Sequence, residues 1–447
     1  MPNTTHKPLS DWRTVWSLAI PSGAVFFFFT LANLATIKIV ADLGPDAIAA
    51  VTTGQRLYNI FAAAIAGLST GTLALVARHW GAGDREAASR TMTAAAVCAA
   101  LAGALVSLII WPTAPLLVGL FGLNNEASAL SIDFLRYFSL FYFPIAVYMV
   151  LATGLRAAGD ARKPMIYAVA MAILIVINVQ LFTYGTRLFP GGGIIGTAIG
   201  SGMANLLVML AAFMSWWRGR FSLKFRFVSE KLLIDLRNIW RIGLPTMLEQ
   251  GVMQIGFIGF LWVVGHFGTA AYAAYGTGVS LLSLTMVIGL GFSMAGSILV
   301  GQNLGANQPE EAKRAAWRAI QQSVISLTLF GILIAPFSRY LAEWLVGPGP
   351  VAEHTITFLY VLCIAQPFMG LDFALTGALR GAGDTRFPLV SAIIGLVVFR
   401  FGLASVLLYF DAPLYLVYAT LIADYAVKNI VLLARFRSGR WMKTVAH

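Results

Sequence analysis

Twelve stretches of this chain are long and apolar enough to cross a lipid bilayer, at about 15–40, 47–77, 91–112, 130–154, 164–185, 193–217, 238–264, 271–301, 317–341, 355–379, 388–410 and 412–434. A spanning helix needs roughly 20 apolar residues, because the hydrocarbon core is about 30 Å thick and each helical residue rises about 1.5 Å. In hydrocarbon every backbone donor and acceptor must be bonded within the protein, so continuous apolar runs of this length specify helices. The longest polar stretch, Arg218 to Arg237, is too short to fold alone. Only 11% of the 447 residues are charged, against about 25% in a soluble domain. That balance excludes a cytosolic enzyme, a disordered chain and a secreted disulfide scaffold. Cys98 and Cys363 lie in apolar runs and build no disulfide framework. The polar opening from Met1 to Asp11 and the long run after it do not read as a cleavable signal. The expected fold is all-α, a polytopic membrane protein with twelve transmembrane helices.

The charges fix sidedness. Of 31 Lys and Arg, 24 fall in the N-terminus, the even-numbered loops and the C-terminus. Basic residues are retained on the cytoplasmic side. Both termini are therefore expected in the cytoplasm, with the protein multi-pass in a plasma membrane, the bacterial inner membrane. The net charge of +12 follows from topology and needs no nucleic acid. Trp12, Trp16, Trp80, Trp216, Trp217, Trp240 and Trp441 gather at the same boundary, as an interfacial belt does.

The chain repeats itself at an offset of 224 residues. Asp11, Arg13, Trp16 and Pro21 match Asp235, Arg237, Trp240 and Pro245, and Gly44 matches Gly268. Leu155-Arg156, Ala158-Gly159-Asp160, Arg162 and Pro164 match Leu379-Arg380, Ala382-Gly383-Asp384, Arg386 and Pro388, with no gap in between. Each repeat holds six spans, an even number, so both halves enter the membrane from one side and are related by a pseudo-two-fold along its normal. The expected organisation is a six-helix lobe at 1–217, a basic cytoplasmic linker at 218–231 and a second lobe at 232–447, with a cleft between lobes that can rock about it.

Charge at mid-bilayer is expensive and is a functional candidate by default. Three carboxylates lie well inside spans, Glu249, Asp372 and Asp424, all in the second half. Counting from flanking arginines puts each roughly 12–17 Å from the cytoplasmic end of its helix, with Arg400 at similar depth. Together they form a candidate cation- or proton-coupling site. Burial disfavours the charged form of a carboxylate and lets it exchange a proton, while clustered oxygens suit a hard cation. The competing reading is static ion pairing, Asp372 with Arg400 or Asp424 with Lys428 four residues on; no basic residue lies close to Glu249 in its own helix. Gln55, Tyr58 and Asn59 interrupt helix 2, and Gln250 and Gln254 extend a polar stripe from Glu249. These, with Tyr275 as a stacking surface for flat cargo, are the expected substrate-cleft residues. Pro21 and Pro245 remove a backbone hydrogen bond inside helices 1 and 7 and are candidate hinges. In the paired loops, Arg156 and Arg380 are expected to pair with Asp160 and Asp384 four residues away.

The run Leu43-Gly44, Gly67, Val76-Ala77-Arg78 and Gly81-Ala82-Gly83-Asp84, its echo Gln302-Asn303-Leu304-Gly305-Ala306, and the paired Leu-Arg-x-Ala-Gly-Asp-x-Arg-x-Pro motifs resemble the multidrug and toxic compound extrusion (MATE) transporters. The resemblance covers nearly the whole chain. It implies a V-shaped pair of lobes and efflux of cationic or amphiphilic compounds in exchange for inward Na⁺ or H⁺, with no cofactor. One branch of the family uses carboxylates in helices 7 and 10, where Glu249 and Asp372 fall. Another uses acids in helices 1 and 5, where this sequence has Thr36 and Phe182, so an N-terminal ion site would be absent or built from neutral groups such as Asn33, Thr36 and Asn178. The expected partners are a small amphiphilic or cationic substrate and the bilayer, with the chain a monomer.

An alternative is a flippase of lipid-linked polyisoprenoid intermediates, which shares the broader fold; the sparse central Lys and Arg argue against it, although Arg56 and Arg400 fit it. A membrane-embedded enzyme finds no catalytic cluster. Gly191-x-Gly193-x-x-Gly196 matches a dinucleotide fingerprint only in letters, because no strand precedes it. The five histidines, His6, His79, His266, His354 and His447, show no metal-ligand spacing.

Overall fold

The computed structural model describes residues 11–186, 189–225 and 232–444. The linker residues 226–231, Arg187, His6 and His447 lie outside them. Among the described residues eleven helices are long and apolar enough to span a membrane, and one bent pair completes twelve. They are α1 (Trp12–Ala41), α2 (Pro45–Gly81), α3 (Arg85–Gly119), α4 (Asn125–Ser139 plus Tyr142–Ala157), α5 (Arg162–Tyr184), α6 (Gly193–Trp217), α7 (Leu232–Gly265), α8 (Thr269–Gly305), α9 (Pro309–Val346), α10 (Pro350–Gly381), α11 (Arg386–Tyr409) and α12 (Leu414–Arg437). The only strands among the described residues are the two-residue β1 (Gly185–Thr186) and β2 (Phe189–Pro190), paired antiparallel between α5 and α6.

Local chemistry sets the breaks between helices. Gly44 and Gly268, equivalent in the repeat, hold φ of 103° and 101° immediately before α2 and α8, a region open to glycine and strained for other residues. Asp84 and Asn124 cap α3 and α4, their side chains accepting from the N–H of Ala87 at 2.8 Å and Ala127 at 2.7 Å. The sequence predicts α4 as one continuous helix, but it bends by 52° between Ser139 and Tyr142. Pro144 lacks an N–H to donate and fits the first turn of the second segment. Ser107 Oγ on α3 donates to the carbonyl of Ser139 that the break leaves free.

The chain divides into two compact units. One comprises Ala24–Leu244; the other comprises Met1–Gly23 and Pro245–His447. In the first, the opening turns of α7 lie on the N-terminal helices: Arg90 Nε on α3 donates to Asp235 Oδ2 at 2.7 Å, and the close packing of Gly71 on Ile239 and of Gly243 on Gly67 leaves no room for a Cβ. In the second, the opening turns of α1 lie against α8: Trp16 meets Phe292 edge-on at 5.0 Å, and a Cβ on Gly291 would stand 2.7 Å from the carbonyl of Ala19. Phe260, Tyr275, Phe358, Leu359, Tyr418 and Leu421 form part of the second unit's apolar core. Val40, Ala47, Phe134 and Ile194 belong to a core cluster of the first.

Candidate functional site

Three helices of the second unit bring the sequence-predicted acids into one polar cluster. Glu249 on α7 is buried, and its Oε2 accepts from Arg380 Nη2 on α10 at 2.8 Å. Asp424 on α12 is fully buried and faces two cations, Lys428 Nζ at 3.1 Å and Arg400 Nη1 at 3.7 Å. Arg400 also reaches Tyr275 Oη at 3.5 Å, and its guanidinium lies over Phe257 and Phe260 at 5.0 and 5.2 Å. Asp372 on α10 is half-buried among these groups, with Lys428, Asp424, Glu249 and Arg380 as its charged neighbours. Among the described residues it makes no ion pair within 4 Å. Three carboxylates thus meet three cations, and Asp372 is the acid that no cation has claimed.

Arg400 is placed by an unusual backbone. Residues Ile393–Gly402 of α11 form a π-helix, whose wider turns bond i to i+5. Gly395 in this stretch makes room for the acid: a Cβ there would stand 2.6 Å from Lys428 Cγ and collide with Asp424 Oδ1. A glycine in an apolar run reads as packing, so its part in seating Asp424 carries no signal in the sequence.

Several expectations change. Asp372 does not pair with Arg400, which goes to Asp424 together with Lys428. Arg380 does not pair with Asp384: it crosses to Glu249, while Asp384 accepts from Arg435 Nε at 2.7 Å. Asp160 takes Lys163 at 2.8 Å instead of Arg156. Tyr275 is not a cargo-facing surface; it is 3% exposed and packs on Phe260 and Phe358 at 5.1 and 5.5 Å beneath Arg400. Tyr58 is half-buried and meets Phe61, Phe138 and Tyr142 at ring distances of 6.2, 5.9 and 5.6 Å. Gln55 donates through Nε2 to Asn33 Oδ1 at 3.1 Å, joining α2 to α1. Asn59 and Gln254 are exposed and Gln250 is half-buried. Pro21 and Pro245 both lie within continuous helices, close to the residues where α1 and α7 pass from one compact unit to the other.

The repeat explains why the cluster occurs once. At the 224-residue offset, Glu249, Asp372 and Arg380 correspond to Val25, Tyr148 and Arg156. The first half keeps the arginine and has neither acid. Arg156 is buried, donates through Nη2 to Thr153 Oγ1 at 3.0 Å, and its Nε and Nη1 find no acceptor. Tyr148 spends its hydroxyl on the carbonyl of Pro164 at 3.2 Å. Ionisable chemistry of this kind therefore resides in the second unit.

Comparison with known proteins agrees with this architecture. The MatE family model matches residues 21–181 and 245–406, one segment in each repeat. A probable multidrug resistance protein NorM of Thermotoga maritima is 24% identical over 429 residues, covering 95% of this chain and 92% of that protein. An FAD transporter of Shewanella oneidensis is 25% identical over 410 residues, covering 88% of this chain and 90% of that one. The fold superposes on the Vibrio cholerae MATE transporter VcmN in its bent form with a TM-score of 0.88 at 19% identity, covering 96% of this chain and 98% of that one. A transporter of the MOP superfamily from Pyrococcus furiosus superposes with a TM-score of 0.87 at 23% identity, covering 99% and 100%. Matched in both halves by one family model, the chain belongs to the MatE family of multi-pass membrane transporters.

Proposed function

We propose that the protein is a secondary-active exporter of cationic or amphiphilic organic compounds, driven by inward Na⁺ or H⁺ and working by alternating access. The observation that carries this reading is Asp372, a carboxylate inside a charged cluster with no cation of its own. Glu249 and Asp424 are already neutralised by Arg380 and by Arg400 with Lys428. An incoming Na⁺ or proton meets the unclaimed acid first, and the charge of the second unit rises by one when it binds. A ligand biases a conformational equilibrium only by binding its two states unequally. Release of cargo is coupled in this scheme to the state in which Asp372 holds the ion and Glu249 adjusts its hold on Arg380. No other cofactor is needed. The weight of Lys and Arg in the even loops supports cytoplasmic termini in a bacterial inner membrane.

The test is transport in proteoliposomes loaded with a cationic dye, with a Na⁺ gradient and a pH gradient imposed separately. One gradient is expected to drive dye movement in the native chain. Asp372→Asn is expected to remove the gradient-driven component while equilibrium dye binding persists, and Glu249→Gln to reduce it. Native rates in both variants would overturn the assignment of the coupling site.

A further inference from the structure

The first unit contains an apolar groove that the transport reading does not use. Ala96, Val97 and Ala100 on α3 form one wall and Met209 and Phe213 on α6 the other, enclosing a volume of about 270 Å³. The surface it presents is entirely apolar, which suits a hydrocarbon chain. Its walls run along α3 and α6 for about two helical turns, roughly 10 Å. Phe143 and Leu210 line it on the outer side and are 37% and 46% exposed. In a spanning bundle that side faces hydrocarbon, so the groove opens laterally toward lipid.

One end of the groove meets the segment that follows α6. Trp216 lines the groove and is 1% exposed. Phe225, the first lining residue beyond α6, meets Trp216 edge-on at 5.0 Å and stacks on Trp217 at 5.7 Å. The segment carrying Phe225 is fastened to the helices: Lys224 N–H donates to Ser89 Oγ at 3.1 Å, and Lys163 Nζ donates to the carbonyl of Arg220 at 3.2 Å. Between Trp216 and Phe225 the chain carries Arg218, Arg220 and Lys224, all exposed. The nearby Asp160 is already paired with Lys163 at 2.8 Å.

We propose that this groove binds an anionic phospholipid, with one acyl chain along Ala96, Val97 and Ala100 and the phosphate among Arg218, Arg220 and Lys224. The apolar walls, the lateral opening and the exposed basic residues of the segment at one end match the tail and head of such a lipid in order. A groove between spanning helices with a basic mouth is a setting in which acidic headgroups are held.

Native mass spectrometry of the purified full chain tests this, with titration of phosphatidylglycerol and phosphatidylcholine carrying identical acyl chains. The native chain is expected to retain phosphatidylglycerol at least tenfold more strongly. Ala100→Trp, which fills the groove, is expected to abolish the retained lipid. The surface variant Arg220→Gln with Lys224→Gln leaves the helices intact and is expected to lower phosphatidylglycerol retention to the phosphatidylcholine level. Equal retention of the two lipids by the native chain overturns the proposal. So does undiminished phosphatidylglycerol binding in the surface variant or in a folded Ala100→Trp.

Discussion

Asp372 and Asp424 are acids of one cluster with opposite expected responses to amidation. Asp424 is fully buried between Lys428 and Arg400. Asp424→Asn strands two buried cations, and breaking a buried pair costs about 3–5 kcal/mol. The variant is expected to show a markedly lower thermal unfolding midpoint, readable by intrinsic fluorescence in detergent. Asp372→Asn removes no ion pair, so its midpoint is expected to stay near the native value while gradient-driven transport fails. A shared drop in both variants would mean that Asp372 is structural. The sequence exposes these acids by depth alone, since charges inside apolar runs stand out. It does not expose their partners. Glu249 meets Arg380 across 131 positions, and neither helical spacing nor local motif links them. The Arg-x-x-x-Asp spacing in the loops suggests a local pair instead, and burial overrides it: the arginines turn inward and the acids cap or pair elsewhere.

At the scale of elements, duplication makes a prediction from one half about the other. Val25 stands where Glu249 stands in the second repeat, and Arg156 where Arg380 stands. Both Val25 and Arg156 are buried, and Arg156 has two guanidinium nitrogens without acceptors. Val25→Glu is expected to complete the missing pair. A hydrogen bond to a charged group contributes roughly 1.5–3 kcal/mol, so the unfolding midpoint should rise, and the gain should vanish in an Arg156→Met background. No gain in the native background would show that the two repeats place these helices differently. The spans themselves are legible because apolar length is a one-dimensional signal. The bend in α4 is not, because Pro144 and Ser107 act through a carbonyl on a neighbouring segment. The burial of Tyr275 escapes for a related reason: an aromatic ring in an apolar run reads alike whether it faces a cavity or a core.

For the molecule as a whole, α1 and α7 are the elements that belong to both compact units, each giving its opening turns to the unit that holds the other half of the chain. The Arg90–Asp235 pair fastens the opening of α7 onto α3. The equivalent positions in the other repeat are Arg314 and Asp11, and there Arg314 bonds Glu311 at 2.8 Å instead. Arg90→Asp is expected to weaken transport and lower stability, and Arg90→Asp with Asp235→Arg to recover most of both; a double variant no better than the single one would rule out a specific pair. The repeat tells from letters alone that the two halves share a plan, yet this difference in their fastening requires coordinates. A second asymmetry lies in the winding of one helix. Ile393–Gly402 of α11 is a π-helix, whereas α5, its counterpart in the first repeat, is an α-helix throughout. A π-helix fits more residues into each turn than an α-helix does, so the stretch that carries Arg400 aims its side chains differently from ordinary winding. Removing one valine from Val397–Val398 is therefore expected to swing Arg400 away from Asp424 and to lower the unfolding midpoint; an unchanged midpoint would show that the wide winding does not seat the arginine.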